Sequence, residues 1–158
     1  MKLVRAAADH AIRRVVLPLG PGILAALREA RARGVGVSLF NHSQNGEEAS
    51  ALLLRYREAG WEPGSTFRPA AFAGRGEGPF GTTYKKKLRR FVDQLDLEDG
   101  LRDGTPQPLA RGHGEVKEMI SILRCAGFRG PMVLGPTNRR HGTLHDAVRI
   151  FLGLLDTM

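Results

Sequence analysis

The chain has a single cysteine, Cys125, in 158 residues, so no internal disulfide can form and no cysteine-based zinc cluster can assemble. Aromatic residues make up only 6%, which leaves little material for a platform on which single-stranded bases could stack. No apolar run approaches the ~20 residues that a membrane-spanning helix needs. No charged-then-apolar leader opens the sequence, so a cytoplasmic protein is the expectation. HExxH is absent, and no Walker Lys-Ser/Thr pair closes the glycine-rich stretch AGRGEGPFGTT, which argues against a phosphate cradle there. Cys125 lies in ISILRCAGF, where the pattern predicts the buried side of a helix and the role of a small hydrophobe.

Positive charge, by contrast, is abundant. The formal net charge is +8, and the isoelectric point is near 10.5. Most of the arginines are scattered over helix faces, as in LREARARG, and only YKKKLRR (84–90) is dense. Such a run reads as a solvated helix face before it reads as a phosphate contact, so nucleic-acid binding is disfavoured. Hydrophobic content of 42% and charged content of 25% are ordinary globular values, and the length fits one domain spanning 1–158.

Along the chain, helical stretches alternate with short β-branched runs that end in polar residues. The pattern predicts helices at 2–12, from Pro21 to Gly34, from Glu47 to Ala59, from Tyr84 to Arg90, at 115–127 and at 143–158. Between them fall strands at 13–20, VGVSLFNHS, STFRPAAF (65–72, weakened by Pro69), FVDQLDLED and GPMVLGP, with a long loop running to Gly114. The last helix places Leu144, Val148, Phe151, Leu152 and Leu155 on one face. Unbroken alternation argues for about five parallel strands joined by right-handed crossovers, in a doubly wound sheet or part of a (β/α)8 barrel. Both architectures gather functional groups at the C-terminal ends of the strands.

One such end is QLDLEDGLRDG (94–104), which crowds Asp96, Glu98, Asp99 and Asp103 together. Carboxylates that close repel each other unless a cation sits among them or water solvates them well. On a strand, Asp96 and Glu98 share a face while Leu97 points away.

VDQLDLEDG, the loop DGTPQPLARGHGEV and MISILRCAGFRGPMVLGP together resemble the closing part of sugar phosphate isomerase/epimerase proteins with the xylose isomerase-like TIM barrel. Upstream, GVGVSLFNHS and TFRPAAF are similar to two earlier strand ends of that family. The resemblance runs in order through 2–158, is specific around 92–136, and implies a partial TIM barrel, since a whole one takes about 250 residues. It also implies a divalent metal held by two Glu, one Asp and one His. At the matching positions this chain has Phe40, Arg68, Asp96 and Gly135, and Ala71 replaces a further histidine. Phe and Gly offer no side-chain ligand and Arg is a permanent cation, so no metal or other cofactor is expected, although a weakly held divalent ion stays open.

Asp96, Glu98, His42 and Arg68 are therefore the candidate catalytic residues of an isomerase- or epimerase-like site. Asn41, Asp99 and His113 are the candidate substrate-binding residues. Arg68 is expected to pair with Asp96 and hold it ionised. His10, His141 and His145 read as structural or surface residues. The expected partners are a small carbohydrate or sugar phosphate, and a second copy or partner chain covering open sheet edges. A non-catalytic binding or assembly module built on a barrel remnant is the alternative. Apurinic-site endonucleases share the broader superfamily but need a metal cluster richer in His and Glu.

Overall fold

The structure, a computed structural model, describes residues 2–134 and 143–157. Five strands form one parallel sheet: β1 (Arg14–Pro18), β2 (Gly36–Phe40), β3 (Gly64–Phe67), β4 (Val92–Leu97) and β7 (Met132–Leu134), in the order β1-β2-β3-β4-β7. The sheet curls into a half-barrel with helices along its flank. These are α1 (Lys2–Asp9), α2 (Leu24–Ala32), α3 (Gly46–Glu58), α4 (Pro69–Ala73), a π-helix (Pro79–Leu88), α5 (Val116–Cys125) and α6 (Leu144–Asp156).

Strand alternation sorts the side chains onto two faces. Val15, Leu17, Leu39, Phe67, Leu95 and Leu97 are buried in one cluster with Leu27, Leu53, Met119 and Ile120 from the helices. The opposite, concave face carries Val16 beside Ser38, Phe40 beside Thr66, Thr66 beside Gln94, and Asp96 beside Val133. It is markedly polar: Ser38 Oγ lies 2.8 Å from Thr66 Oγ1 and donates to Asp93 at 2.7 Å, and Arg14 pairs with Asp93 at 3.0 Å.

Several elements differ from the sequence pattern for local reasons. The strand expected over 65–72 stops at Phe67, and Pro69 opens α4. Proline has no N–H for a ladder, yet its fixed φ suits a first helical turn. The helix expected from Tyr84 begins at Pro79, so the glycine-rich stretch is half helical. The loop to Gly114 contains a short antiparallel ladder of β5 (Asp99–Gly100) and β6 (Pro106–Gln107). The helix expected over 2–12 ends at Asp9, and Ala11 stands at φ 54°.

One burial expectation is corrected. Cys125 ends α5 exposed rather than on its buried side, which belongs to Val116, Met119, Ile120 and Leu123. On α6, Ala147 and Leu154 are buried and Phe151 and Leu155 half-buried, whereas Leu144, Val148 and Leu152 of the expected apolar face are exposed. Among the described residues, β7 is the last strand of the sheet. Gly135 and His141 lie outside the described residues.

Candidate functional site at the strand ends

The C-terminal ends of β2, β3 and β4 bring Phe40, Arg68 and Asp96 onto one concave surface. Arg68 follows the last residue of β3 in extended conformation, with its guanidinium 5.1 Å from the centre of the Phe40 ring. Its Nη2 donates to both carboxylate oxygens of Glu98, at 3.1 and 2.9 Å. Its Nε makes no hydrogen bond and stands 3.7 Å from Asp96 Oδ2. The expected Arg68–Asp96 pair is thus a longer charge contact, and Glu98 is the hydrogen-bonded partner. The Glu98 side chain is 3% exposed and Asp96's is 17%, so the arginine serves the carboxylate with less access to water.

Asp96 also differs in its electrostatics. Burial raises its pKa above the ordinary carboxylate value, and the hydrogen bond from the Gln94 amide (2.8 Å) and the Arg68 charge offset only part of that rise. Desolvation, rather than repulsion from Glu98, is the leading cause. Burial thus shifts Asp96 toward its protonated form relative to an exposed aspartate.

Asn41 comes next to Phe40 and is 4% exposed, and neither atom of its amide has a hydrogen-bond partner among the described residues. His42 is exposed, its ring edge-on to Phe40 at 6.4 Å, and its carbonyl accepts from Arg75 at 3.4 Å. No hydrogen bond joins the His42 ring to Arg68 or Asp96.

Asp99 is 1% exposed, and its carboxylate is turned into its own loop. It accepts the N–H groups of Gly100 and Gly114 at 2.8 Å each and of Gly112 at 3.0 Å. A side chain at Gly112 or Gly114 would meet Asp99 Oδ1 at 2.5 or 2.7 Å, which is why both positions are glycine. This places Asp99, expected among the substrate-binding residues, as the anchor of the loop over 100–114. His113, expected to bind substrate, is exposed on that loop, and its backbone N–H donates to Gly100 at 2.8 Å.

Glu115, Glu77 and Gln94 escaped the sequence reading. Glu115 stands at φ 50° and accepts from Phe80 N (2.7 Å) and Gly81 N (3.4 Å), so a carboxylate of the protein itself caps the start of the π-helix. Those are N–H groups that a phosphate would need from the glycine-rich stretch. Glu77 accepts from Gly46 N at the start of α3 at 2.8 Å and lies 3.6 Å from Lys87. The Gly-x-Gly-Glu spacing was the available signal for Glu115. Nothing local marked the other two.

No protein-family model matches the chain, and no curated protein matches it. Among solved structures, it is similar to a xylose isomerase domain protein from Planctomyces limnophilus: TM-score 0.74, 19% identity, covering 97% of this chain and 62% of that one. It is also similar to a D-tagatose 3-epimerase-like protein: TM-score 0.73, 16% identity, covering 98% of this chain and 66% of that one. The fold is therefore that of the xylose isomerase-like TIM barrels, and the chain spans about two thirds of the length of these structures.

A divalent metal belongs to the barrel family that the sequence resembles, and the described side chains at the matching positions offer it little. Of the matching positions described, Phe40 offers a phenyl ring, Arg68 a cation already bound to Glu98, and Asp96 one carboxylate with a raised pKa. Among the described residues, no group of three or more His, Cys, Asp or Glu is arranged to hold a metal ion. A hard cation takes six or more oxygens, and this surface offers few.

Proposed function

We propose that this chain is a divergent sugar phosphate isomerase/epimerase-like protein whose strand-end mouth uses an arginine–carboxylate cluster in place of the metal and receives a small carbohydrate or sugar phosphate. The observation that carries the reading is Arg68, 2.9 Å from Glu98 and 3.7 Å from Asp96 where the resembled family has a metal ligand. Asp96 is the candidate base. It would take a proton from the carbon next to a carbonyl and return it to the neighbouring carbon or the opposite face. Its raised pKa brings it closer to the proton it must exchange. Arg68 is the group that would bear the developing oxyanion, and the amide of Asn41, buried and unpaired among the described residues, would be a partner for a hydroxyl.

The test is solvent deuterium incorporation into a panel of ketoses, aldoses and their phosphates, in chelator, alongside calorimetric binding. Binding that persists in chelator and is lost in Arg68→Ala supports the reading. Binding or exchange that appears only with Mn or Mg contradicts it. A second reading, a non-catalytic assembly module, is favoured by the outer edges of β1 and β7, which pair with no other strand among the described residues, and predicts neither binding nor exchange.

A further inference from the structure

The dense basic run YKKKLRR occupies the last turn of the π-helix and the two residues after it. As sequence it reads as a solvated helix face. In the fold its cations instead meet around one hollow of about 420 Å³, where the π-helix packs beside α3. Lys85, Lys86, Lys87, Arg89 and Arg90 line that hollow, and Glu47 is the one carboxylate among the lining residues. Ser50 and Leu54 of α3 complete its wall. α3 joins β2 to β3 and the π-helix leads into β4, so the hollow belongs to the middle of the sheet order and not to its ends.

The acidic neighbours of this surface are already engaged. Glu47 and Glu77 both face Lys87, at 3.5 and 3.6 Å, and Glu77 also accepts from Gly46 N. Lys85, Lys86, Arg89 and Arg90 have no carboxylate partner among the described residues. Their contacts are aromatic: Lys85 lies over Phe80 at 5.3 Å and Arg90 over Phe91 at 4.9 Å. Arg57 stands over Phe91 at 4.4 Å and donates to the Arg90 carbonyl at 3.2 Å, which adds a further cation beside the run. The dipole of a helix end favours the three lysines of the last turn, but it does not account for Arg89 and Arg90 beyond it. Cations gathered this closely repel one another, and one anion of several charges relieves that repulsion at a stroke.

We propose that this hollow is a binding site for a chain of phosphates with no base attached, of the kind inorganic polyphosphate presents. Ammonium groups on flexible stems and forked guanidinium groups are the donors that phosphate oxygens take. A hollow of this size suits a small ligand. Lys85 caps Phe80, while Arg57 and Arg90 cap the buried Phe91, which leaves little ring surface on which a base could stack. Binding here does not depend on what the strand-end mouth takes, or on what covers β1 and β7.

The test is isothermal titration calorimetry with sodium tripolyphosphate, in chelator and at low ionic strength. Tripolyphosphate is expected to bind wild type roughly tenfold or more tightly than inorganic phosphate does, and to weaken as salt is added. Lys86 and Arg89 are exposed, so Lys86→Glu/Arg89→Glu should keep its far-ultraviolet circular dichroism. Its affinity for tripolyphosphate should fall roughly tenfold or more. Lys2→Glu/Arg28→Glu makes the same change in net charge at exposed positions of α1 and α2, and should stay within about twofold of wild type. Absence of binding up to about 1 mM tripolyphosphate overturns the proposal. Equal losses in the two double variants would show attraction to bulk charge alone, and unchanged affinity in Lys86→Glu/Arg89→Glu would place the anion elsewhere; either result overturns it. Adenosine triphosphate or a short oligonucleotide bound roughly tenfold more tightly than tripolyphosphate would show that bases are read, and would overturn it as well.

Discussion

Arg68 faces two carboxylates and satisfies them unequally, and that asymmetry sets what each substitution should do. Removing the guanidinium leaves Glu98 buried without its cation, a change that costs about 3 kcal/mol when a buried pair is broken from one side. Arg68→Ala should therefore lower stability by that order in urea unfolding, while Arg89→Ala, exposed just past the π-helix, should stay within about 0.5 kcal/mol. Asp96 behaves in the opposite sense. Its folded-state pKa lies above its unfolded one, so the stability its proton contributes is complete below the unfolded value and is lost as pH rises through the folded value. Asp96→Asn is always neutral and keeps an oxygen for the Gln94 amide. It should melt at a higher temperature than wild type at neutral pH, and the two should converge as pH falls toward 3.8. A gap that widened on acidification would refute the assignment.

At the scale of elements, the loop over 100–114 hangs on one side chain. Three backbone N–H groups converge on Asp99, and two glycines make room for it. Hydrogen bonds to a buried charge contribute about 1.5–3 kcal/mol each and are not additive, so Asp99→Ala should cost about 3 kcal/mol. Limited proteolysis would report it directly: cleavage within 100–114 should accelerate well before the rest of the chain, and uniform resistance would show that the loop is held elsewhere. The sequence already marked this strand end as acidic, and the spacing of its carboxylates was visible. Their division of labour was not. Which carboxylate faces the mouth depends on where β4 ends, and two residues past that end are enough to turn Asp99 away from Asp96. The same limit explains 65–72, where Phe67 and Pro69 fit both a strand and the strand-to-helix turn that forms.

At the scale of the molecule, the parallel half-barrel was legible because each βα unit carries its own signals: an apolar alternation, a Pro or Asn opening the helix, a glycine after it. Asn45 capping Glu48 N at 2.9 Å, with Glu48 returning the bond, fixes the start of the helix expected from Glu47. The exposed side of α6 was not legible, since an apolar stripe predicts that something covers it without saying whether that cover belongs to the same chain. At the mouth, an arginine at the strand end was readable, and the choice of Glu98 over Asp96 by Arg68 was a matter of three-dimensional reach. The claim that an ion pair, rather than a metal, holds this mouth together is tested most directly by a double-mutant cycle between Arg68 and Glu98, measured by urea unfolding in chelator. We expect a coupling of about 2 kcal/mol, larger than that between Arg68 and Asp96. No coupling in chelator, together with a rise in stability on adding Mn that Asp96→Ala and Glu98→Ala abolish, would contradict it.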